Sequence, residues 1–188
     1  MWSVNRRSEQ AVRTRQAVLN TARRLFFARG YTATSLQDIA DDLGITKANV
    51  YYYFRTKDSL MAELLTERIR ELETLVDEVS TTTDAAARSD RLIEGFVEQV
   101  VIAHRSLAPV DFTDPVVRGL PEVSARLDQL TGRAAALLFG AQPTLRQRAS
   151  LAMALDLKPA LRELTTLPDA DMKDALRTLC RALVTAAS

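Results

Sequence analysis

Apolar residues recur at the spacing of α-helices along nearly the whole chain, and this periodicity limits the possible folds more than any other feature. The clearest stripe lies near the C-terminus, where apolar positions follow the pattern of one helix face. It consists of Met172, Ala175, Leu176, Leu179, Cys180, Leu183 and Val184. No segment shows the alternation of apolar and polar residues that is typical of a strand. We therefore predict an all-α protein of about nine helices.

Glycine and capping residues divide the first part of this pattern into three short segments. A hydroxyl residue followed three positions later by Gln or Glu indicates a helix start, and glycine supplies the positive φ that ends a helix. The predictions are a helix over roughly 9–29 that stops at Gly30, a second helix capped by Thr34 with Gln37 and ended by Gly44, and a third helix from Thr46 to about Phe54.

The remainder of the chain also has a helical pattern. A proline disfavours α geometry in the residue before it, so we expect a break near Leu157–Pro159. Pro109, Pro115 and Gly119 make residues 106–120 irregular or one short helix. The other predicted helices run from Asp58 and Ser59 to about 80, around 92–104, from about Val123 to Gly140, over 144–166 with the break, and over 169–186.

Charge divides the chain in the same place as the pattern. Residues 1–60 contain ten basic and five acidic groups, whereas the remainder contains 15 basic and 19 acidic ones. Two interpretations of the basic end stay open: a module that binds a polyanion, or a basic face that is merely solvated. We expect two domains, residues 1–57 and residues 58–188, in a soluble cytosolic protein.

Residues 34–57 have the features of a helix-turn-helix. Two short helices flank Leu43-Gly44-Ile45, and the small side chain of Ala40 allows a close crossing. The second helix would then present Lys47 and Asn49, which are suited to guanine and adenine edges in a major groove. Helix pairs of this kind also occur as plain packing, but the local positive charge favours DNA binding.

The stretch from Thr34 to Leu60, which contains LGITKANVYYYFRTKDSL, closely resembles the N-terminal domain of the TetR family of bacterial transcriptional regulators. Phe26 and the Ala28-Arg29-Gly30-Tyr31 segment are similar to the end of the family's first helix. The resemblance covers about residues 12–65 and implies an all-helical C-terminal domain for ligand binding and dimerisation.

The resemblance also implies roles for individual residues. Tyr51 is expected to pack inward as well as to contact DNA, and the position of Tyr53 is often His or another polar ring in relatives. For the basic arm with Arg6, Arg7, Arg13 and Arg15, DNA contacts and a disordered tail both stay open. The implied roles are phosphate contacts for Thr34 and Ser35, major-groove contacts for Thr46, Lys47, Ala48 and Asn49, phosphate and sugar contacts for Tyr51, Tyr52 and Tyr53, and a backbone grip by Lys57.

The resemblance places two further sites in the C-terminal part. The helices over about 144–166 and 169–186 are expected to form the homodimer interface, although their stripes also fit packing within one chain. An unknown small-molecule effector is expected among the later helices. Its candidate lining residues are Phe96, Val100, His104, Phe112, Leu130 and Met153.

The sequence favours a regulator over an enzyme. It lacks phosphate-binding glycine loops, a nucleophile elbow and a zinc-protease motif, and it has one His and one Cys. No cofactor, metal or membrane partner is predicted. The leading hypothesis is a homodimeric repressor that a small-molecule effector releases from a palindromic operator in double-stranded DNA. The alternative is a constitutive helix-turn-helix protein without an effector pocket.

Overall fold

The computed structural model describes residues 2–105 and 115–187, and these residues form α-helices joined by turns, with no strand among them. The predicted all-α fold is therefore confirmed. The helices are α1 (Trp2–Arg29), α2 (Leu36–Leu43), α3 (Lys47–Tyr53), α4 (Lys57–Ser80), α5 (Ala85–Arg105), α6 (Pro115–Arg118), α7 (Pro121–Phe139), α8 (Leu145–Leu155), α9 (Lys158–Leu164) and α10 (Asp169–Thr185).

The chain forms two compact units, one ending at Leu65 and the other beginning at Thr66. The division lies inside α4, because Leu60 and Leu64 of its first turns pack into the N-terminal core. The domain boundary expected from the sequence, between residues 57 and 58, coincides with the start of α4 instead.

The N-terminal unit is built around one small apolar core. Side chains from α1, α2, α3 and the start of α4 meet there, and the short α2 packs against both α1 and α3. The buried members are Val18, Leu19, Ala22, Leu25, Leu36, Ile39, Ala40, Val50, Phe54 and Leu60. Because α2 and α3 are too short to be stable alone, this shared core fixes their positions.

The start of α2 differs from the sequence prediction by one residue. Ser35, not Thr34, is the N-cap, and its partner is Asp38 rather than Gln37. The Ser35 hydroxyl accepts a hydrogen bond from the Asp38 backbone N–H at 3.1 Å, and the Asp38 carboxylate accepts one from the Ser35 backbone N–H at 2.7 Å. Thr34 is excluded from this role because its side chain is buried.

In the C-terminal unit, α10 packs against α5 and α8, and α5 also packs against α7. The stripe predicted on α10 supplies this core through Met172, Leu176, Cys180 and Val184. Burial raises the pKa of the Cys180 thiol to about 11, so this cysteine behaves as a small apolar residue. The break predicted near Pro159 is confirmed: α8 ends at Leu155 and α9 begins at Lys158.

A ladder of ion pairs joins α5 to α10. Acidic residues four positions apart on α5 face basic residues four positions apart on α10, which runs antiparallel to it. The pairs are Asp90–Arg181 at 2.9 Å, Glu94–Arg177 at 3.2 Å and Glu98–Lys173 at 2.6 Å.

Of the segment 106–120, residues 115–120 are described, and they contain the four-residue helix α6. Within the part of the chain that the structure describes, no helix combines the length and the apolar character needed to cross a membrane.

Candidate nucleic-acid interface

The turn between α2 and α3 sets the angle of the candidate recognition helix. Gly44 adopts a left-handed conformation with φ of 64°, which a residue with a side chain adopts only at a cost. The Gly44 N–H donates a hydrogen bond to the Asp41 carbonyl oxygen at 3.2 Å, and the Ile45 N–H donates one to the Ala40 carbonyl oxygen at 3.0 Å. These bonds satisfy the last carbonyls of α2 and let the chain turn directly into α3.

The first residues of α3 are exposed and fixed in place. The Thr46 hydroxyl accepts a hydrogen bond from the Asn49 backbone N–H at 3.2 Å, so the predicted N-cap is confirmed. Val50 is buried and anchors the opposite face of the helix in the core. Thr46, Lys47, Ala48 and Asn49 therefore lie together on the surface, at the end of α3 that enters a major groove in helix-turn-helix proteins.

The three tyrosines of α3 have different surroundings. Tyr52 is 74% exposed, and Tyr51 is also exposed, with the Lys47 Nζ 5.5 Å from its ring centroid. Tyr53 packs against the core and makes an edge-to-face contact with Tyr52 at 5.0 Å between ring centroids. The inward packing that the resemblance implied for Tyr51 is thus found at Tyr53.

At the start of α2, the structure separates the two residues expected to contact phosphate. Ser35 is exposed, but Thr34 is buried and its hydroxyl donates to the Gly30 carbonyl oxygen at 2.9 Å. The Thr34 hydroxyl therefore lies inside the domain, and the phosphate contacts expected of Thr34 and Ser35 stay predictions. Ser35 keeps a surface position, and its hydrogen bonds lower the pKa of the Asp38 carboxyl.

Lys57 lies at the N-terminus of α4, and its ammonium is occupied within the protein. The Nζ donates to the carbonyl oxygens of Tyr31 at 2.7 Å and Thr34 at 2.9 Å. It also lies 4.2 Å from the Tyr31 ring centroid. No sequence pattern indicates these contacts, because residues 31 and 57 meet only after α1 and α4 have packed.

A second contact between the same segments also has no signal in the sequence. The Tyr31 hydroxyl donates to the Asp58 carboxylate, and burial together with this bond raises the pKa of the phenol. The resemblance covers both residues but implies no role for either of them.

The basic arm begins as helix rather than as an extended segment, because α1 starts at Trp2. Arg13 is exposed. Arg15 pairs with Glu63 at 2.9 Å and lies 5.0 Å from the Phe54 ring centroid, so its guanidinium stabilises this domain. The side chains of Arg6 and Arg7 lie outside the described residues.

The apolar residues predicted to line an effector pocket do not come together. Phe96 and Val100 pack against the core formed by α5 and α10, whereas Leu130 lies in a separate cluster with Val76 and Val79. Met153 is 63% exposed on α8. Most apolar stripes of this kind face a packed core, and Phe96, Val100 and Leu130 follow that rule.

The polar residue predicted to line the pocket, His104, contacts a hydroxyl group of its own unit. His104 Nε2 lies 3.4 Å from the Thr165 hydroxyl oxygen, and Phe112 lies outside the described residues. A groove of about 330 Å³ does lie between α4 and α5. It is lined by Glu71, Thr74, Leu75, Glu78, Gly95, Glu98 and Gln99, none of which was predicted.

Gly95 allows the helices beside this groove to approach closely, since a Cβ there would lie 2.3 Å from Leu75 Cδ1. In the described part of the chain, no three His, Cys, Asp or Glu side chains form a group that could hold a metal ion.

Comparison with known proteins identifies the N-terminal unit. Residues 18–64 match the family model for bacterial regulatory proteins of the tetR family. The match includes all of α2 and α3, and the resemblance inferred from the sequence is confirmed.

Individual relatives support this result. The Transposon Tn10 TetC protein of Escherichia coli is 22% identical over 138 residues, which are 73% of this chain and 70% of that protein. The HTH-type transcriptional regulator TtgR of Pseudomonas putida is 39% identical over 62 residues, or 33% of this chain, and this chain spans less than a third of TtgR. TtgR is a transcriptional regulator, which agrees with the prediction that the chain is not an enzyme.

Solved structures show that the fold continues beyond the matched domain. The crystal structure of AibR in complex with isovaleryl coenzyme A and operator DNA has a TM-score of 0.62 at 20% identity. It covers 87% of this chain and 95% of AibR, so both units of this chain take part in the structural match.

Proposed function

We propose that the chain is a homodimeric repressor that binds a palindromic operator and leaves it when a small effector binds, because residues 18–64 match the family model for bacterial regulatory proteins of the tetR family. The observation that carries this proposal is the surface of α3, where Lys47, Ala48 and Asn49 are exposed on a helix anchored by Val50. Such a protein acts in the bacterial cytoplasm, where the chromosome lies.

The chemistry of this surface suits duplex DNA. An exposed lysine can donate to guanine, and an asparagine amide can both donate to and accept from adenine. Tyr51 and Tyr52 are exposed on α3 and supply hydroxyl groups for phosphate oxygens. Ser35 is exposed as well, but its hydroxyl donates to the Asp38 carboxylate at 2.6 Å. The excess of basic residues in the first 60 positions adds attraction that does not depend on sequence.

Exposed apolar residues on α8 and α10 support pairing of two copies. These two helices pack against each other, yet Leu145 and Met153 on α8 and Leu179 on α10 remain exposed. Ala149, Ala152 and Ala182 are exposed as well and allow close approach of a further helix. Leu176, which belongs to the stripe expected at the interface, faces the core of its own chain instead. We infer that α8 and α10 each contribute side chains both to that core and to the dimer interface.

A dimer explains how so short a helix recognises a site. One recognition helix contacts only a few base pairs, whereas two copies related by a twofold axis contact two half-sites about one helical turn apart. Such a dimer requires a palindromic operator. The AibR complex supports an effector, since that protein of the same fold was crystallised with both a coenzyme A thioester and operator DNA.

The proposal is tested by selecting fragments from random duplex DNA with the purified chain. We expect enrichment of a palindrome, a stoichiometry of two chains per site, and affinity that falls steeply with salt concentration. A chain that enriches no sequence and binds no duplex at low ionic strength would contradict the proposal.

The alternative, a constitutive DNA-binding protein, is favoured by one observation. Phe96, Val100 and Leu130, expected to line an effector pocket, pack in apolar clusters of the C-terminal unit. Thermal unfolding in the presence of acyl coenzyme A thioesters and planar apolar compounds separates the two functions. A compound that raises the melting temperature and releases the operator supports the repressor; operator binding that no compound changes supports the alternative.

A further inference from the structure

We propose that Tyr51 is a positioning residue for DNA binding, whose aromatic ring holds the Lys47 ammonium on the surface of α3 that faces the duplex. This role is separate from the phosphate and sugar contact that the family resemblance implied for Tyr51, because it uses the face of the ring and not the hydroxyl. The inference rests on the proposed function and assigns part of the affinity for DNA to a contact inside the protein.

Lys47 and Tyr51 are four residues apart on α3, so their side chains lie one above the other on the same face of the helix. Long side chains of a helix lean towards its N-terminus, which places the Tyr51 ring over the turn that contains Lys47. The Lys47 Nζ lies 5.5 Å from the ring centroid. This distance is within the range of about 6 Å over which an aromatic ring attracts a cation.

The other groups on this surface leave the Lys47 ammonium to that ring. Lys47 and Tyr51 are both exposed, and among the described residues no carboxylate pairs with the Lys47 ammonium. The neighbouring rings are used differently, since Tyr53 packs against the core of its unit and Tyr52 makes an edge-to-face contact with Tyr53. Of the three tyrosines of α3, Tyr51 is therefore the one whose ring has a cation as its neighbour.

Binding of DNA strengthens the contact between Lys47 and Tyr51. A lysine ammonium is strongly hydrated and moves on a flexible stem, so in the free protein water competes with the ring and the attraction is weak. A duplex that covers α3 removes much of this water, and a cation–π contact becomes stronger when its cation is desolvated. The additional attraction contributes to affinity, because it is present in the complex and absent from the free protein.

The size of the effect follows from the difference between an exposed and a desolvated contact. This difference corresponds to about a fivefold change in affinity for one copy of the pair. A twofold dimer presents two copies of α3, so loss of both rings weakens operator binding by about 25-fold. Because the attraction needs the charge of Lys47, loss of the ring has little effect where that charge is absent.

A double-mutant cycle tests this dependence, with the duplex enriched from random DNA and fluorescence anisotropy as the measure of affinity. Tyr51→Phe is the reference, because it removes the hydroxyl and keeps the ring, so that a phosphate contact of the hydroxyl cancels in the comparison. Tyr51→Leu removes the ring as well. Both variants are prepared with Lys47 retained and with Lys47→Met, which keeps the apolar stem of the lysine.

We expect Tyr51→Leu to bind the operator about 25-fold more weakly than Tyr51→Phe where Lys47 is retained, and with nearly the same affinity as Tyr51→Phe in the Lys47→Met background. The matched control is the same pair of substitutions at Tyr52, which is exposed on the same helix. The Tyr52 ring contacts Tyr53, so we expect its removal to have equal effects in the two backgrounds.

A second measurement needs no DNA and also shows that the variants are folded. The face of an aromatic ring shifts the NMR signals of nearby protons upfield. We therefore expect the Lys47 Hε signals to move downfield in Tyr51→Leu and to stay in place in Tyr51→Phe.

Three results would overturn the inference while leaving the proposed function intact: equal effects of ring removal with and without Lys47, the same affinity for Tyr51→Phe and Tyr51→Leu where Lys47 is retained, or Lys47 Hε signals that do not respond to loss of the ring. Failure of the proposed function gives a different result, since the unsubstituted chain then binds no duplex at low ionic strength, and the inference fails with it.

Discussion

Lys47 and Asn49 lie on the same exposed turn of α3, but the structure holds them differently. The Lys47 ammonium stands 5.5 Å from the Tyr51 ring centroid and can swing away on its flexible stem. The backbone of Asn49 is fixed by the hydroxyl of Thr46, so the short amide leaves the helix in a defined direction. We therefore expect Asn49 to contribute more to sequence preference and Lys47 more to affinity.

Asn49→Ala is expected to relax the preference for one base pair in each half-site by about 1–3 kcal/mol, the value of one bidentate pairing between a side chain and a base. Competition between the operator and its single-base variants measures this directly. Asn20→Ala is the matched control, since Asn20 is exposed on α1 of the same domain and pairs with Gln16. If the Asn49 variant discriminates between the base pairs as well as the unsubstituted chain does, Asn49 does not contact a base.

Acid is expected to weaken the cap of α2. Hydrogen bonds from Ser35 hold the pKa of the Asp38 carboxyl below its usual value of 3.8. Because the folded pKa lies below the unfolded one, the stabilisation is complete above the unfolded pKa and is lost as pH falls through the folded pKa. An NMR titration of the Asp38 carboxyl carbon measures the shift.

Ser35→Ala removes the largest cause of that shift, the hydrogen bond from the Ser35 hydroxyl, and keeps the bond from the backbone N–H of residue 35. We expect the pKa of Asp38 to rise towards its usual value in this variant, and the domain to lose about 1 kcal/mol of stability, as is typical when an N-cap is removed. An Asp38 titration that is identical in the two proteins would show that the Ser35 hydroxyl does not stabilise the carboxylate.

The caps also show what the sequence could and could not predict at this scale. Thr46 is preceded by Gly44 and Ile45, neither of which has a capping side chain, so its role was predicted correctly. Before α2, two overlapping patterns compete, Thr34 with Gln37 and Ser35 with Asp38. Burial of Thr34 in the core decides between them, and burial depends on how α1 and α4 pack.

At the scale of helices, we expect the ladder between α5 and α10 to set the register of the two helices and to add little to the stability of the protein. Exposed ion pairs contribute about 0.2–1 kcal/mol each, because solvent screens them and side-chain entropy opposes them. A shift of one helix turn would leave a pair unmatched at the end of the ladder.

Reversing one rung tests this interpretation. Glu94→Lys places two cations together at Arg177 and is expected to destabilise the protein by about 1 kcal/mol, whereas Glu94→Lys with Arg177→Glu recovers most of the loss. Urea unfolding of the single and double variants at low and high salt gives the coupling energy. Glu163→Lys, at an exposed position on α9, is the control for the change in net charge. A double variant no more stable than Glu94→Lys would mean that the rung does not couple the helices.

Prediction at the level of helices succeeded where the signal was local. The break before α9 follows from Pro159 itself, and the turn after α2 follows from Gly44. The effector pocket has no such local signal. Phe96 and Leu130 have the same helical spacing whether they face a cavity or a packed core, and only the arrangement of α5 and α7 places them in clusters.

At the scale of the whole molecule, the division of charge and the division of structure correspond. Basic residues outnumber acidic ones in the unit that ends at Leu65, and acidic residues outnumber basic ones in the unit that follows. Each unit has its own apolar core, so a substitution on the surface of the second unit can change assembly without unfolding the first. This separation makes the proposed dimer testable through DNA binding itself.

Leu179→Glu combined with Met153→Glu is expected to separate the dimer and abolish operator binding while the DNA-binding domain stays folded. Leu179 is 45% and Met153 63% exposed, so neither is needed to fill the core of its own chain. A twofold interface buries each side chain twice, once in each chain. Loss of the two copies of Leu179 alone therefore weakens dimerisation by about 3 kcal/mol, which raises the dimer dissociation constant more than about 100-fold. Sedimentation equilibrium measures this constant, and anisotropy measures binding to the full operator.

The matched control is Ile102→Glu, because Ile102 is 42% exposed in the same unit but lies on α5. We expect this variant to remain dimeric and to bind the operator, which separates the effect of the α8 and α10 surface from that of added negative charge. A Leu179 and Met153 variant that sediments as a dimer would place the interface elsewhere. One that sediments as a monomer yet binds the operator with full affinity would show that a single recognition helix is enough, since a palindrome would then offer no advantage over one half-site.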